Sequence, residues 1–328
     1  MGRESERQHE GCKVAFLSRV LLSGLAIAVI TAALVKPRRT PRHRAQVAEV
    51  VGDTLIVADG SRLPLACWTS TGPPRALVLG LHGYGDYHRA FRLAGPWLAA
   101  RDVAFYAYDQ RGFGETETRG EWPGAHELIH DVADAIGALR QQHPDLPLVL
   151  MGESMGGAVA LAALASGAIT RVEGLILAAP GVRGNVPLRQ MHDVALRLAA
   201  LALPWLAVEL RRGAQPWLEP SEAARLADDP LVLRKLSVGT YEGLIELASM
   251  ASTELPETWP PTLLQYGELD GTIPRVAIDH LIQRLGDRAS VRLYPDHHHL
   301  LLHEVAAETV FVDCLDWLET SVRDAAQP

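Results

Sequence analysis

The chain has 328 residues and 48% hydrophobic content, enough to bury a substantial core within a single α/β domain. A formal charge of −8 leaves no basic footprint, so nucleic acid is not an expected partner. Cys12, Cys67 and Cys314 are odd in number and widely spaced without a C-x-x-C pair, which excludes a disulfide framework and a zinc-finger site.

Residues 1–45 read as a separate N-terminal segment. Positions 14–35 are apolar apart from Ser18, Arg19, Ser23 and Thr31, and the uninterrupted part begins near Val20. That leaves ~16 residues, short of the ~20 of a comfortable span. Two readings follow: a single membrane anchor with Arg19 snorkelling to the interface, or an export signal cleaved near Thr31-Ala32-Ala33. Lys36, Arg38, Arg39, Arg42 and Arg44 follow, so both flanks are positive and the face of the membrane stays open. Membrane association through residues 14–35 is the expectation.

Residues 46–328 form the main domain. Runs 48–57 and 62–68 alternate in polarity across Asp59-Gly60 and predict an opening hairpin. Apolar strand candidates at 76–81, 103–108, 148–151, 175–179, 262–266 and 291–294 then alternate with helical stretches such as 125–142, 275–285 and 305–319. That alternation predicts an α/β fold, a mainly parallel twisted sheet with helices on both faces. It breaks once, at residues 181–258, a long insertion that should cap the sheet edge. Within it, residues 194–210 are apolar nearly all round, interrupted at Pro204-Trp205. A cap lined by Leu198, Leu201, Leu203, Trp205 and Leu206 would suit an acyl chain.

Gly152-Glu153-Ser154-Met155-Gly156-Gly157 lies between a predicted strand and a small-residue helix, the setting in which G-x-S-x-G lifts a serine above a sheet edge. A serine hydroxyl is a weak nucleophile, so it needs a base, an orienting acid and an oxyanion hole. Asp270, in Gly267-Glu268-Leu269-Asp270-Gly271 just past a buried strand, is the candidate acid. Beyond the last strand come His297, His298 and His299; adjacency alone leaves the base open among the three, with His299 the best candidate. Consecutive residues of an extended segment point to alternating sides, which argues against their converging on a metal. The amides of Met155 and of Tyr84, in the His82-Gly83-Tyr84-Gly85 loop, are the candidate oxyanion donors. Asp86 and His88 read as rim residues. No glycine-rich phosphate loop accompanies a strand, so no cofactor is expected.

His82-Gly83, Tyr108 to Gly114, Gly152 to Gly157, Gly267 to Asp270 and Tyr294 to Glu304 occur in an order that resembles α/β-hydrolases of the monoacylglycerol lipase and lysophospholipase group, over roughly residues 47–320. The resemblance implies a helical cap and a Ser154, Asp270, His299 triad. It selects His299 because the family's histidine falls five residues after the aromatic that ends the last strand, with a carboxylate, here Glu304, five residues on. It also implies that Asp109-Gln110-Arg111-Gly112 is a structural turn. Where the family commonly has His before the nucleophile, this chain has Glu153.

The expected function is therefore serine hydrolysis of a lipid carboxylic ester, a monoacylglycerol or lysophospholipid, through an acyl-enzyme. Three alternatives remain. One is a short-chain carboxylesterase. Another is an aminopeptidase-like hydrolase holding a substrate amine on Glu209, Glu219, Glu242 or Glu246. The third is a non-catalytic membrane-tethered binding module. Oligomeric state is not legible.

Overall fold

The computed structural model describes residues 46–184, 189–210, 215–256 and 258–322. The apolar segment at 14–35 lies outside them. No helix among the described residues is long and apolar enough to cross a membrane.

The chain opens with β1 (Glu49–Val51), β2 (Thr54–Ile56) and β3 (Arg62–Trp68), an antiparallel meander. The first predicted strand is thus two strands, because Gly52 takes φ 62 and turns the chain between them. Next come β4 (Ala76–Leu81), α1 (Ala94–Ala99), β5 (Val103–Tyr108), α2 (Ala125–Gln142), β6 (Leu148–Glu153), α3 (Met155–Ala165) and β7 (Gly174–Ala178). The cap supplies α4 (Arg189–Ala202), β8 (Ala207–Glu209), α5 (Pro220–Asp228), β9 (Lys235–Ser237) and α6 (Val238–Met250). Then β10 (Thr262–Gly267), α7 (Arg275–Leu285), β11 (Ala289–Tyr294) and α8 (Ala307–Trp317) complete the fold.

Nine strands form one sheet in the order β1-β2-β3-β5-β4-β6-β7-β10-β11, parallel from β5 to β11. Every residue of β4, β5, β6, β7 and β10 is buried. That is why these strands read as unbroken apolar runs: helices cover both faces of a parallel sheet. Helix α2 buries Leu128, Val132, Ala135 and Leu139, spaced three or four apart, and turns its polar face outward. Parallel strands bring their C-terminal ends to one edge, and the loops after β4, β6, β10 and β11 meet there.

The segment after β5 is a structural turn. Arg111 is 3% exposed and forks between Asp131 (2.8 and 2.9 Å) and Asp59 (2.9 Å). Asp109 accepts the amides of His88 (2.9 Å) and Glu115 (2.8 Å).

Candidate active site

Strand β6 ends at Glu153 and helix α3 begins at Met155, so Ser154 alone carries the turn, at φ 50 and ψ −113. This is a strained conformation for a residue with a side chain, and the surroundings hold it. Ser154 N–H donates to Ala178 O (3.0 Å), and its carbonyl accepts from Gly181 N (2.7 Å). The flanking glycines are steric necessities. A Cβ on Gly152 would lie 2.6 Å from the carbonyl carbon of Gly156, and one on Gly156 would overlap the carbonyl of Leu81. The N-terminus of α3 beneath the serine adds partial positive charge where an oxyanion would form.

Asp270 follows β10 in a turn that its own Oδ1 stabilises by accepting from Thr272 N (2.6 Å) and Ile273 N (3.0 Å). Its Oδ2 faces His299 Nδ1 at 2.8 Å, and His299 Nε2 lies 2.9 Å from Ser154 Oγ. A proton on Nδ1, donated to the carboxylate, leaves the Nε2 lone pair to accept the serine proton. Of the three consecutive histidines only His299 has this reach. His298 stacks flat on Trp217, centroids 3.7 Å apart, and its amide donates to Glu304 Oε1 (2.7 Å). His297 is buried beside Tyr294. The loop after β4 runs over the serine: a Cβ on Gly83 would sit 3.4 Å from Ser154 Cβ. Buried His82 braces that loop, donating from Nδ1 to Gly83 O (2.8 Å) and accepting Gln110 N–H at Nε2 (3.0 Å). Burial pushes its pKa down, which keeps that neutral tautomer.

Residues 72–306 match the family model described as "Serine aminopeptidase, S33". The chain belongs to this family. The human monoglyceride lipase is 27% identical over 301 residues, covering 89% of this chain and 98% of that protein. The monoacylglycerol lipase of Mycolicibacterium smegmatis is 24% identical over 262 residues, covering 79% and 93% respectively. Among solved structures, a soluble variant of the Saccharomyces cerevisiae monoglyceride lipase in complex with a substrate analog superposes with a TM-score of 0.67. It is 18% identical, covering 87% of this chain and 98% of that one, a likeness of fold. This family member is a serine hydrolase of carboxylic esters with the α/β-hydrolase fold.

A cavity of about 890 Å³ opens on Ser154 and His299, within the range of ligand sites. Tyr84 and Met155 line it too. Its apolar wall comes from Leu210, Leu218 and Leu236 of the cap, Leu244, Ile245 and Ala248 of α6, and Ile273. The leucines expected there are elsewhere. Leu198 (55% exposed) and Trp205 (73% exposed) face outward, and neither they nor Leu201 line the cavity. The apolar stretch at 194–210 is interrupted as its Pro204-Trp205 pair suggested, with helix α4 stopping at Ala202. Pro204 then turns the chain into the short β8, and α6 takes the inner position against α3.

The cap is fastened to the hydrolase core by buried charge that sequence reading missed. Asp86, expected at the rim, is 4% exposed and paired bidentately with Arg225 of α5 (2.6 and 2.8 Å). Burial alone would raise its pKa, but Arg225 holds it down at about 2. Glu222, also on α5, binds Arg225 (2.8 Å), Arg92 and His303 Nδ1 (2.9 Å). His303 Nε2 reaches Glu153, the residue before Ser154, at 3.1 Å. The departure at Glu153 was the available signal: an acid buried at the Ser154 turn requires a cation nearby.

Proposed function

We propose that this hydrolase cleaves the ester of a single-chain lipid, a monoacylglycerol first among them, by acyl transfer to Ser154. The observation that carries the reading is the Ser154–His299–Asp270 hydrogen-bond chain at the end of an apolar, capped cavity. His299 Nε2 takes the serine proton as Oγ attacks the carbonyl carbon. The amides of Met155 and Tyr84 receive the developing oxyanion. Collapse of the tetrahedral intermediate breaks the C–O bond, and His299 returns the proton to the departing glycerol oxygen. Water, deprotonated by His299, then releases the fatty acid. The names of the human and mycobacterial relatives support a monoacylglycerol substrate.

Lining chemistry supports a neutral head group. Arg183, the arginine that lines the cavity among the described residues, is paired with Asp193 (2.8 and 3.1 Å). The lining carboxylates, Asp86 and Glu153, face Arg225 and His303, which disfavours capture of a peptide's amine. Release of fatty acid from 1-oleoylglycerol and from 1-oleoyl-lysophosphatidylcholine tests this directly. The glycerol ester should have the higher kcat/KM; a preference for the lysophospholipid would reassign the substrate and leave the mechanism intact.

We further propose that residues 1–45 and 46–328 are anchor or signal segment and hydrolase domain, and that the protein works at a lipid surface. The apolar stretch at 14–35 supports this, as does the exposed rim of Val194, Leu198, Leu203, Trp205, Leu206 and Val208 on the cap.

A further inference from the structure

His303 is fully buried, and each ring nitrogen faces a carboxylate: Nδ1 that of Glu222 at 2.9 Å, Nε2 that of Glu153 at 3.1 Å. A neutral imidazole has one N–H, so it would present a lone pair to one of the two acids; only an imidazolium donates to both. The main chain ties the same residue to the cap. His303 O accepts from Glu219 N (2.9 Å), the residue capping α5, and the next residue, Glu304, bridges Leu218. From Glu222 the network continues through Arg225 to Asp86 in the loop that runs over Ser154. That loop meets the cap twice more, where Gly85 O accepts from Leu233 N (2.7 Å) and Tyr84 Oη donates to Lys235 O (2.8 Å).

We propose that His303 is a positioning residue of this hydrolase: bridging Glu222 of the cap helix and Glu153 of the nucleophile turn, it sets Ser154 and the cap in one shared arrangement. The inference rests on the serine-hydrolase reading of the site. The charged groups around the ring are Glu153 from the end of β6, Glu222 and Arg225 from α5, Arg92 before α1, and Asp86 from the loop after β4. Glu153, Glu222 and Asp86 are thus faced by Arg225, Arg92 and, when it carries its proton, His303, while Glu219 also approaches Arg92 at 3.6 Å. Burial would push the imidazole pKa down, but Glu153 and Glu222 override this and hold it up at about 10. Catalytic His299 lies four residues upstream on the same segment, so a shift of His303 displaces both the serine and its base. Misplacement by about 1 Å can cost ~10²-fold in rate.

The test compares wild type and His303→Gln as full-length chains, checked for folding by circular dichroism and thermal unfolding. Side-chain nitrogen NMR at about pH 8, above the ordinary ~6.5 of histidine, should reveal an imidazolium signal that vanishes in H303Q. H303Q should lose ~10²-fold in kcat on a short soluble ester with KM little changed. The double variant Glu153→Gln, His303→Gln should lose no more than H303Q alone, because both act through one contact. A folded H303Q with wild-type kcat, or a neutral His303 ring at that pH, overturns the proposal. If H303Q does not fold, Glu222→Gln substitutes for it: reduced kcat supports the bridge and unchanged kcat refutes it. Fluorophosphonate labelling separates the two levels. A wild-type protein that does not react at Ser154 removes the hydrolase reading itself, whereas equal labelling rates in wild type and H303Q remove only the bridge.

Discussion

Ser154→Ala is expected to lower turnover of any accepted ester by at least ~10³-fold, towards the ~10⁶-fold loss that follows removal of a serine nucleophile in other triads. The effect should fall on kcat, since the cavity wall of Leu236, Leu244 and Ile245 is untouched. The fold should survive. The Ser154 hydroxyl is hydrogen-bonded to His299, and the turn is held by backbone bonds to Ala178 and Gly181. Relief of the φ 50 strain is not available to alanine either, so stability should change little. Steady-state rates and thermal unfolding on the same preparation check both parts; a folded variant with near-normal turnover would end the acyl-enzyme mechanism.

Asp270→Asn is expected to cost ~10⁴-fold in kcat, and the geometry says why. Asp270 Oδ1 is committed to the amides of Thr272 and Ile273, so an asparagine would keep its carbonyl oxygen there and turn its NH₂ towards His299 Nδ1. Nδ1 would then have to accept, which moves the imidazole proton to Nε2, facing Ser154 Oγ. The base would present a donor to the group it must deprotonate. Asparagine also lacks the charge that stabilises the imidazolium formed during attack. Loss of less than about tenfold in a folded variant would show that the carboxylate is only a turn former, as Asp-Gly pairs often are.

Much of the fold was legible because burial on both faces wrote the central strands as apolar runs. The 148–151 run followed by Gly152 to Gly157 read as a strand, a sharp turn and a helix, and the structure has all three. The residues alone left three histidines open, since period and spacing do not say which of His297, His298 and His299 points to the serine. The resemblance selected His299, and the hydrogen bonds join that residue to Ser154 and Asp270.

The cap was read less well. The apolar residues of 194–210 were read as one group, and which of them turn inward depends on packing against the rest of the fold. Leu198 and Trp205 were expected at the cavity, whereas Leu198 lies on the outer side of a helix that ends at Ala202 and Trp205 lies exposed just beyond it. The ion network was invisible for a different reason. Glu153 and His303 stand 150 positions apart, and Asp86 and Arg225 stand 139 apart, so only the folded chain pairs them.

The central claim, a long-chain glycerol ester opened by Ser154 under an apolar cap, is tested most directly by one series. Fatty-acid release is measured from monoacylglycerols of increasing acyl length, from acetyl to oleoyl, with Ser154→Ala as the blank. Each buried methylene is worth ~0.8 kcal/mol, so kcat/KM should rise by up to about fourfold per CH₂ until the cavity is filled. A flat or falling series, with activity confined to the short esters, would contradict the account and make this a small-ester carboxylesterase.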